Sequence, residues 1–297
     1  MRCSLLVLIF LFSCGEGTKT LPSSTGENSE VIFVVNDALW ELEIDTLVRN
    51  TFGAAIQGMS QNETMFNVVQ INHSEFKSIF KTHKNIVIIT QGKKIASHKN
   101  KWASGQFVAH LGWEENPGKL VENLKRIRDI FVLKEISSIR KSFRNLSQKK
   151  AENTVKLNFK IDCIVPNEYK VIKNNQSVFW ANYNPQQSDE IKNILIFSFI
   201  PNSVNLQEQV LQKTDSIFAK YLLGKKEGSY VKIEKEYLPY YFENTYRGLW
   251  KLENGFMGGP FLIKTYFVEE KIVVNVGLIF APHSIKRKYI KELEAIL

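Results

Sequence analysis

The chain has 297 residues, a formal net charge of +9, 44% apolar and 23% charged residues. This balance excludes a disordered polypeptide, and twenty Phe residues supply a substantial aromatic core. Nor does the charge denote nucleic-acid binding: much of the excess falls between Lys119 and Lys150, interspersed with Glu122, Asp129 and Glu135, the mixed-sign pattern of a solvated helix face.

Arg2 precedes an unbroken apolar run from Leu5 to Phe12, and Leu11-Phe12-Ser13-Cys14 closes it with a small residue before a cysteine. That order is a secretory leader, residues 1–13. The run is too short to cross hydrocarbon about 30 Å thick, which needs roughly 20 helical residues. The ending resembles a bacterial lipobox, which implies cleavage before a lipidated Cys14 and a protein held to a membrane by acyl chains. Residues 14–30, polar from Thr18 to Glu30, read as a flexible tether. Cleavage would leave Cys14 and Cys163, so no intramolecular disulfide is expected. Cys163, in an apolar run without a basic neighbour, reads as an inert buried thiol.

Val31–Val35 has the length and composition of a buried strand. Asp37 opens a helix to about Arg49 with Trp40, Ile44, Leu47 and Val48 inward, and Phe66–Ile71 is a second strand. Asn72 and Glu75 start a helix carrying Phe76, Ile79, Phe80 and His83, followed by strands at Ile86–Ile89 and Phe107–Leu111. Asn116-Pro117 places a cap before Pro at the first helical position. The stripe Leu120, Leu124, Ile127, Phe131, then Ile136, Ile139, Phe143, Leu146, runs for roughly 45 Å. Its register slips between Phe131 and Ile136, which predicts a bend or a change of packing partner there.

Beyond Lys156 the period becomes that of strands, expected at 157–165, 177–183, 193–200, 229–236, 246–251, 261–268 and 272–280. Two helices interrupt or close them: one opened by Asn205 and Glu208, and one from Ser284 to Ile296. The fold class is therefore α+β, an N-terminal α/β domain (31–150) followed by an antiparallel sheet with packed helices (151–297).

Several segments together resemble an uncharacterised family of Bacteroidota lipoproteins, domain of unknown function 4837. They are Asp37-Ala38-Leu39-Trp40, Gly228-Ser229-Tyr230, Arg247-Gly248-Leu249-Trp250, Phe256-Met257-Gly258-Gly259-Pro260-Phe261 and Leu293-Glu294-Ala295-Ile296-Leu297. The resemblance implies a lipid-anchored envelope protein, at the outer membrane on either its periplasmic or its surface face, and carries over no catalytic residue. The second half resembles the Mog1/PsbP-like sandwich in element order, a likeness of fold alone.

Met257-Gly258-Gly259-Pro260 reads as a tight turn permitted by positive φ at glycine. Arg247 and Trp250, three apart on a strand, should face opposite sides of the sheet. Tyr240 and Tyr241, with Tyr237 and Tyr246, crowd the approach. Arg247, Trp250, Tyr240, Tyr241, Gly258 and Gly259 are thus the candidate binding surface.

No metal site, cofactor or catalytic residue is expected. The five histidines make no HExxH spacing, Met59 stands where a P-loop requires Lys, and no GxSxG elbow occurs. The composite expectation is an envelope lipoprotein that binds a partner protein or glycan, not an enzyme. The competing one is a hydrolase or transferase on envelope polymer, which would gather Arg247, His110 or His283 and a carboxylate in one cleft.

Overall fold

The computed structural model describes residues 20–59, 63–202 and 204–297; the expected leader, Cys14 and the first tether residues lie outside them. The α+β class is as the sequence indicates.

The first unit is built on β1 (Glu30–Val34), β2 (Asn67–Ile71), β3 (Asn85–Gln91), β4 (Ala96–Lys99) and β5 (Phe107–Trp113). Their order is β2-β1-β3-β5-β4, parallel except for β4. α1 (Asp37–Leu39) passes through a π-helical turn (Trp40–Ile44) into α2 (Asp45–Thr51); α3 (Ser78–Lys81) is short and α4 (Pro117–Asn145) long. β1 and β3 are apolar without alternation because both faces are covered. Val31, Phe33, Val87 and Ile89 pack under α2 and α4, while Ile32, Val34, Ile86 and Ile88 pack with Phe76 and Trp102 on the other side.

α4 begins as expected, with Asn116 Oδ1 accepting from the Lys119 amide at 3.1 Å. Its apolar stripe continues at the fourth residue after Phe131, but that residue is the buried Glu135. The predicted register slip is a change of partner. Leu120 to Phe131 belong to the core over the first sheet. Beyond them α4 packs against a helix of the second unit.

Two expectations in this unit need correction. Of the helix expected from Asn72 to His83, only α3 forms. Asn72 Oδ1 instead accepts from the Ser74 amide and hydroxyl, which closes a turn, and Ile79 is left 73% exposed. The stretch up to Glu30 is bound to the body from about Pro22. The Ser24 amide donates to the Ser104 carbonyl at 3.0 Å and that of Thr25 to the Thr82 carbonyl at 2.9 Å, so polar composition here serves backbone pairing.

The second unit has α5 (Lys149–Phe159), β6 (Lys170–Asn174), β7 (Val178–Tyr183), β8 (Ile191–Phe199) and α6 (Leu206–Tyr221). β9 (Val231–Ile233), β10 (Tyr240–Phe242), β11 (Thr245–Leu252), β12 (Gly258–Val268), β13 (Lys271–Phe280) and α7 (Lys286–Ile296) complete it. The antiparallel order is β10-β11-β12-β13-β8-β7-β6, with β9 paired to β11. Residues of β13 alternate between the two cores: Val274, Val276 and Leu278 face α6, Val273 and Ile279 face α5 and α7. Residues 157–165 do not form the expected strand. Ala151, Val155 and Phe159 recur at helical spacing, Lys160 (φ 57°) ends the helix, and Ile161 to Val165 run as irregular chain, buried except at Asp162. Cys163 lies in that run, and burial pushes its thiol up to about 12, which keeps it inert at neutral pH.

Candidate binding groove

α7 is the element on which the two units meet. Its first turn leaves backbone amides without helical partners, and a carboxylate from the first unit fills the gap. Glu63 accepts from the amides of Lys286 (2.7 Å) and Arg287 (2.6 Å), while Arg287 Nη1 donates to the Thr64 carbonyl at 2.6 Å. One turn on, the Lys291 ammonium pairs with Glu135 of α4 and donates to Ser29 Oγ at 2.7 Å. Glu135 also accepts from the Ser29 amide at 2.6 Å. Burial holds the Lys291 ammonium below its usual lysine range, partly offset by Glu135.

At the next turn of α7, Glu294 accepts from Arg247 Nη2, and the backbone carbonyl of Glu294 accepts from Lys264 Nζ at 2.8 Å. Here a groove of about 440 Å³ opens between α4, α7 and the β10–β12 edge. Val132, Leu133 and Ile136 of α4 form one wall, and Tyr240 and Phe242 of β10 the other. Arg140, Arg247, Lys264 and Glu294 complete it. Burial, then the nearby Arg140 guanidinium, hold the Lys264 ammonium below its ordinary range.

Of the sequence-predicted residues, Arg247 and Tyr240 share this groove. Trp250 lies on the opposite face of the sheet, as its spacing from Arg247 requires, and its indole N–H donates to the Ile279 carbonyl at 3.1 Å. With Gly258, Gly259 and Tyr237 it borders a separate cavity of about 340 Å³. Tyr241 turns to a third hollow with Tyr246, the two rings 4.7 Å apart. The six candidates are therefore spread over three places.

Gly258 and Gly259 do not form a turn. They begin β12, opposite Lys251 and Trp250, and neither has positive φ. The reversal precedes them, with Asn254 in the left-handed region (φ 54°). What Gly259 supplies is room: a Cβ there would stand 2.1 Å from the Ile279 carbonyl oxygen. At Gly258 the corresponding contact, to the Trp250 carbonyl oxygen, is 3.0 Å.

Arg247 is joined by a carboxylate, Glu294, but neither His110 nor His283 lines the groove. His110 sits on β5 beside His98, ring centroids 5.8 Å apart. Burial, with Lys101 and Lys94 nearby, lowers it to about 4. Glu63 and Lys291 escaped the sequence reading, Glu294 entered it only within a family segment, and Glu135, expected on a solvated helix face, is buried. Glu135 and Lys291 did carry a signal, each being a charge at a position where an apolar stripe calls for a hydrophobe.

Residues 147–297 match Domain of unknown function (DUF4837), just over half of the chain. The chain belongs to this family. The DUF4837 region holds the eight-stranded sheet and α5 to α7. Residues 24–144 match a second one, Domain of unknown function (DUF8532), which holds the five-stranded sheet and most of α4. The groove thus takes one wall from each matched region. No curated protein matches the chain. Among the described residues, no helix is long and apolar enough to cross a membrane.

Proposed function

We propose that the chain is an envelope lipoprotein, anchored through lipidated Cys14, whose folded body is a binding module for an envelope protein or glycan. The anchoring half of this reading rests on the order of charge, apolar run and small residue before Cys14. Because the backbone is already bound to the body at Pro22, the span from Cys14 is at most about 25–30 Å of extended chain. The body would be held close to the membrane and not at the end of a long leash.

The binding half is carried by one observation, the aromatic edge of the DUF4837 sheet. Tyr240 and Tyr241 are each 38% exposed and Phe242 57%, on a strand that, among the described residues, pairs with β11 alone. Large apolar side chains on a bare strand edge are a liability unless something covers them. Exposed aromatic side chains beside a groove suit recognition.

The test has two arms. Cys14→Ala should leave the precursor uncleaved and free of radiolabelled fatty acid; equal labelling would defeat the anchor. Tyr240→Ser with Phe242→Ser should keep the fold, since both side chains are exposed, and should lose the envelope component that the wild type captures. Capture of the same component in equal amount would defeat the binding module.

A further inference from the structure

The groove inverts the usual arrangement of a protein surface, in which charges sit outermost over apolar groups. Here the apolar residues are outermost: Leu133 is 67% exposed and Phe242 57%. The charges lie deeper, with the Arg247 side chain 28% and that of Glu294 13% exposed. The deep charges are also unbalanced. Arg140, Arg247 and Lys264 meet two carboxylates, and one of these, Glu243, stands exposed at the rim. Glu294 is engaged by Arg247, while Arg140 has no ion-pair or hydrogen-bond partner among the described residues. The Arg247 Nε is buried and likewise lacks a hydrogen-bond partner among them.

We infer that this groove binds a single-chain amphiphile with an anionic head, the head on Arg140 and Arg247 and the chain between Leu133, Ile136, Tyr240 and Phe242. A carboxylate or phosphate head would give Arg140 the acceptor it lacks and would supplement Glu294 at the terminal nitrogens of Arg247, through charge-assisted hydrogen bonds. The apolar body would cover the exposed walls, a gain proportional to the area removed from water. The volume of about 440 Å³ falls in the ordinary range of small-molecule sites. A free inorganic anion would leave the walls bare. The inference rests on the proposed binding module and on a membrane source within reach of the short tether.

The probe is palmitate, below its micelle concentration, titrated into the purified full-length chain by calorimetry, with cetyl alcohol and acetate as controls. Palmitate should bind at one site, and each control about tenfold or more weaker, since charged hydrogen bonds and chain burial each exceed a factor of ten. Arg140→Gln, which breaks no intramolecular pair, should weaken palmitate about tenfold and leave melting unchanged. Equal binding of the alcohol, an unaffected Arg140→Gln variant, or no palmitate binding would overturn the inference. If palmitate fails while capture still depends on Tyr240 and Phe242, the ligand class falls and the binding module stands. If capture is independent of those residues, the module itself falls. Capture of an acidic protein through Arg140 would put a macromolecule in the groove and overturn the amphiphile.

Discussion

Lys291 and Glu135 stand 156 positions apart and form an ion pair with side chains only 7% and 4% exposed. It lies where the DUF8532 and DUF4837 regions meet, and hydrogen bonds from Ser29 and Asn85 occupy the remaining carboxylate positions. Removing one partner strands a buried charge. Lys291→Met should cost about 3–5 kcal/mol, whereas Lys291→Met with Glu135→Leu should recover much of it. Urea denaturation of both single variants and the double variant measures the coupling. A double variant as unstable as the sum of the singles would show that the pair does not act as a unit.

Gly259 and Gly258 should respond differently to alanine. At Gly259 the new methyl meets a backbone carbonyl at 2.1 Å, and β12 or β13 must shift, at about 1–3 kcal/mol. At Gly258 the contact is 3.0 Å and the cost should be smaller. Melting curves of the two variants, compared side by side, decide whether close strand approach explains the pair.

The Glu63 carboxylate at the start of α7 should behave as a helix cap supplied across 223 positions of sequence. Glu63→Gln keeps one acceptor and loses the charge that favours a helix N-terminus, so a loss of about 1 kcal/mol is expected. Hydrogen exchange should quicken first at Lys286 and Arg287, whose amides it accepts from. Unchanged exchange there would remove the cap from the account.

His110 sets an expectation for pH. Its folded value of about 4 lies below the ordinary 6.5, chiefly through burial, so the unfolded chain binds more protons between the two. Its contribution to stability is fully present above about 6.5 and is lost as pH falls towards 4. The wild type should lose more melting temperature from neutral pH to pH of about 5 than His110→Gln does. Parallel loss in both proteins would assign the acid sensitivity elsewhere.

Much of the local structure was legible because it depends on neighbours in sequence. Asn116-Pro117 opens α4 and Asn205 with Glu208 opens α6, since a cap needs only the next three residues. The apolar runs of β1 and β3 announced buried parallel strands. The failures were equally local in cause: residues 157–165 had the composition of a strand but end a helix, and Asn72 preferred a turn to a cap.

What sequence determined, then, was where helices and strands begin, which faces are apolar, and that Arg247 and Trp250 part company across a sheet. Tertiary structure alone decided which charges meet. Glu135 finds Lys291, Arg247 finds Glu294, and Glu63 finds the start of α7 because packing of two sheets through α4 and α7 brings distant segments within hydrogen-bonding range. Periodicity reports on spacings of two to four residues. A groove assembled from residues more than a hundred positions apart leaves no periodic trace, because its spacing is set by the packing of whole elements.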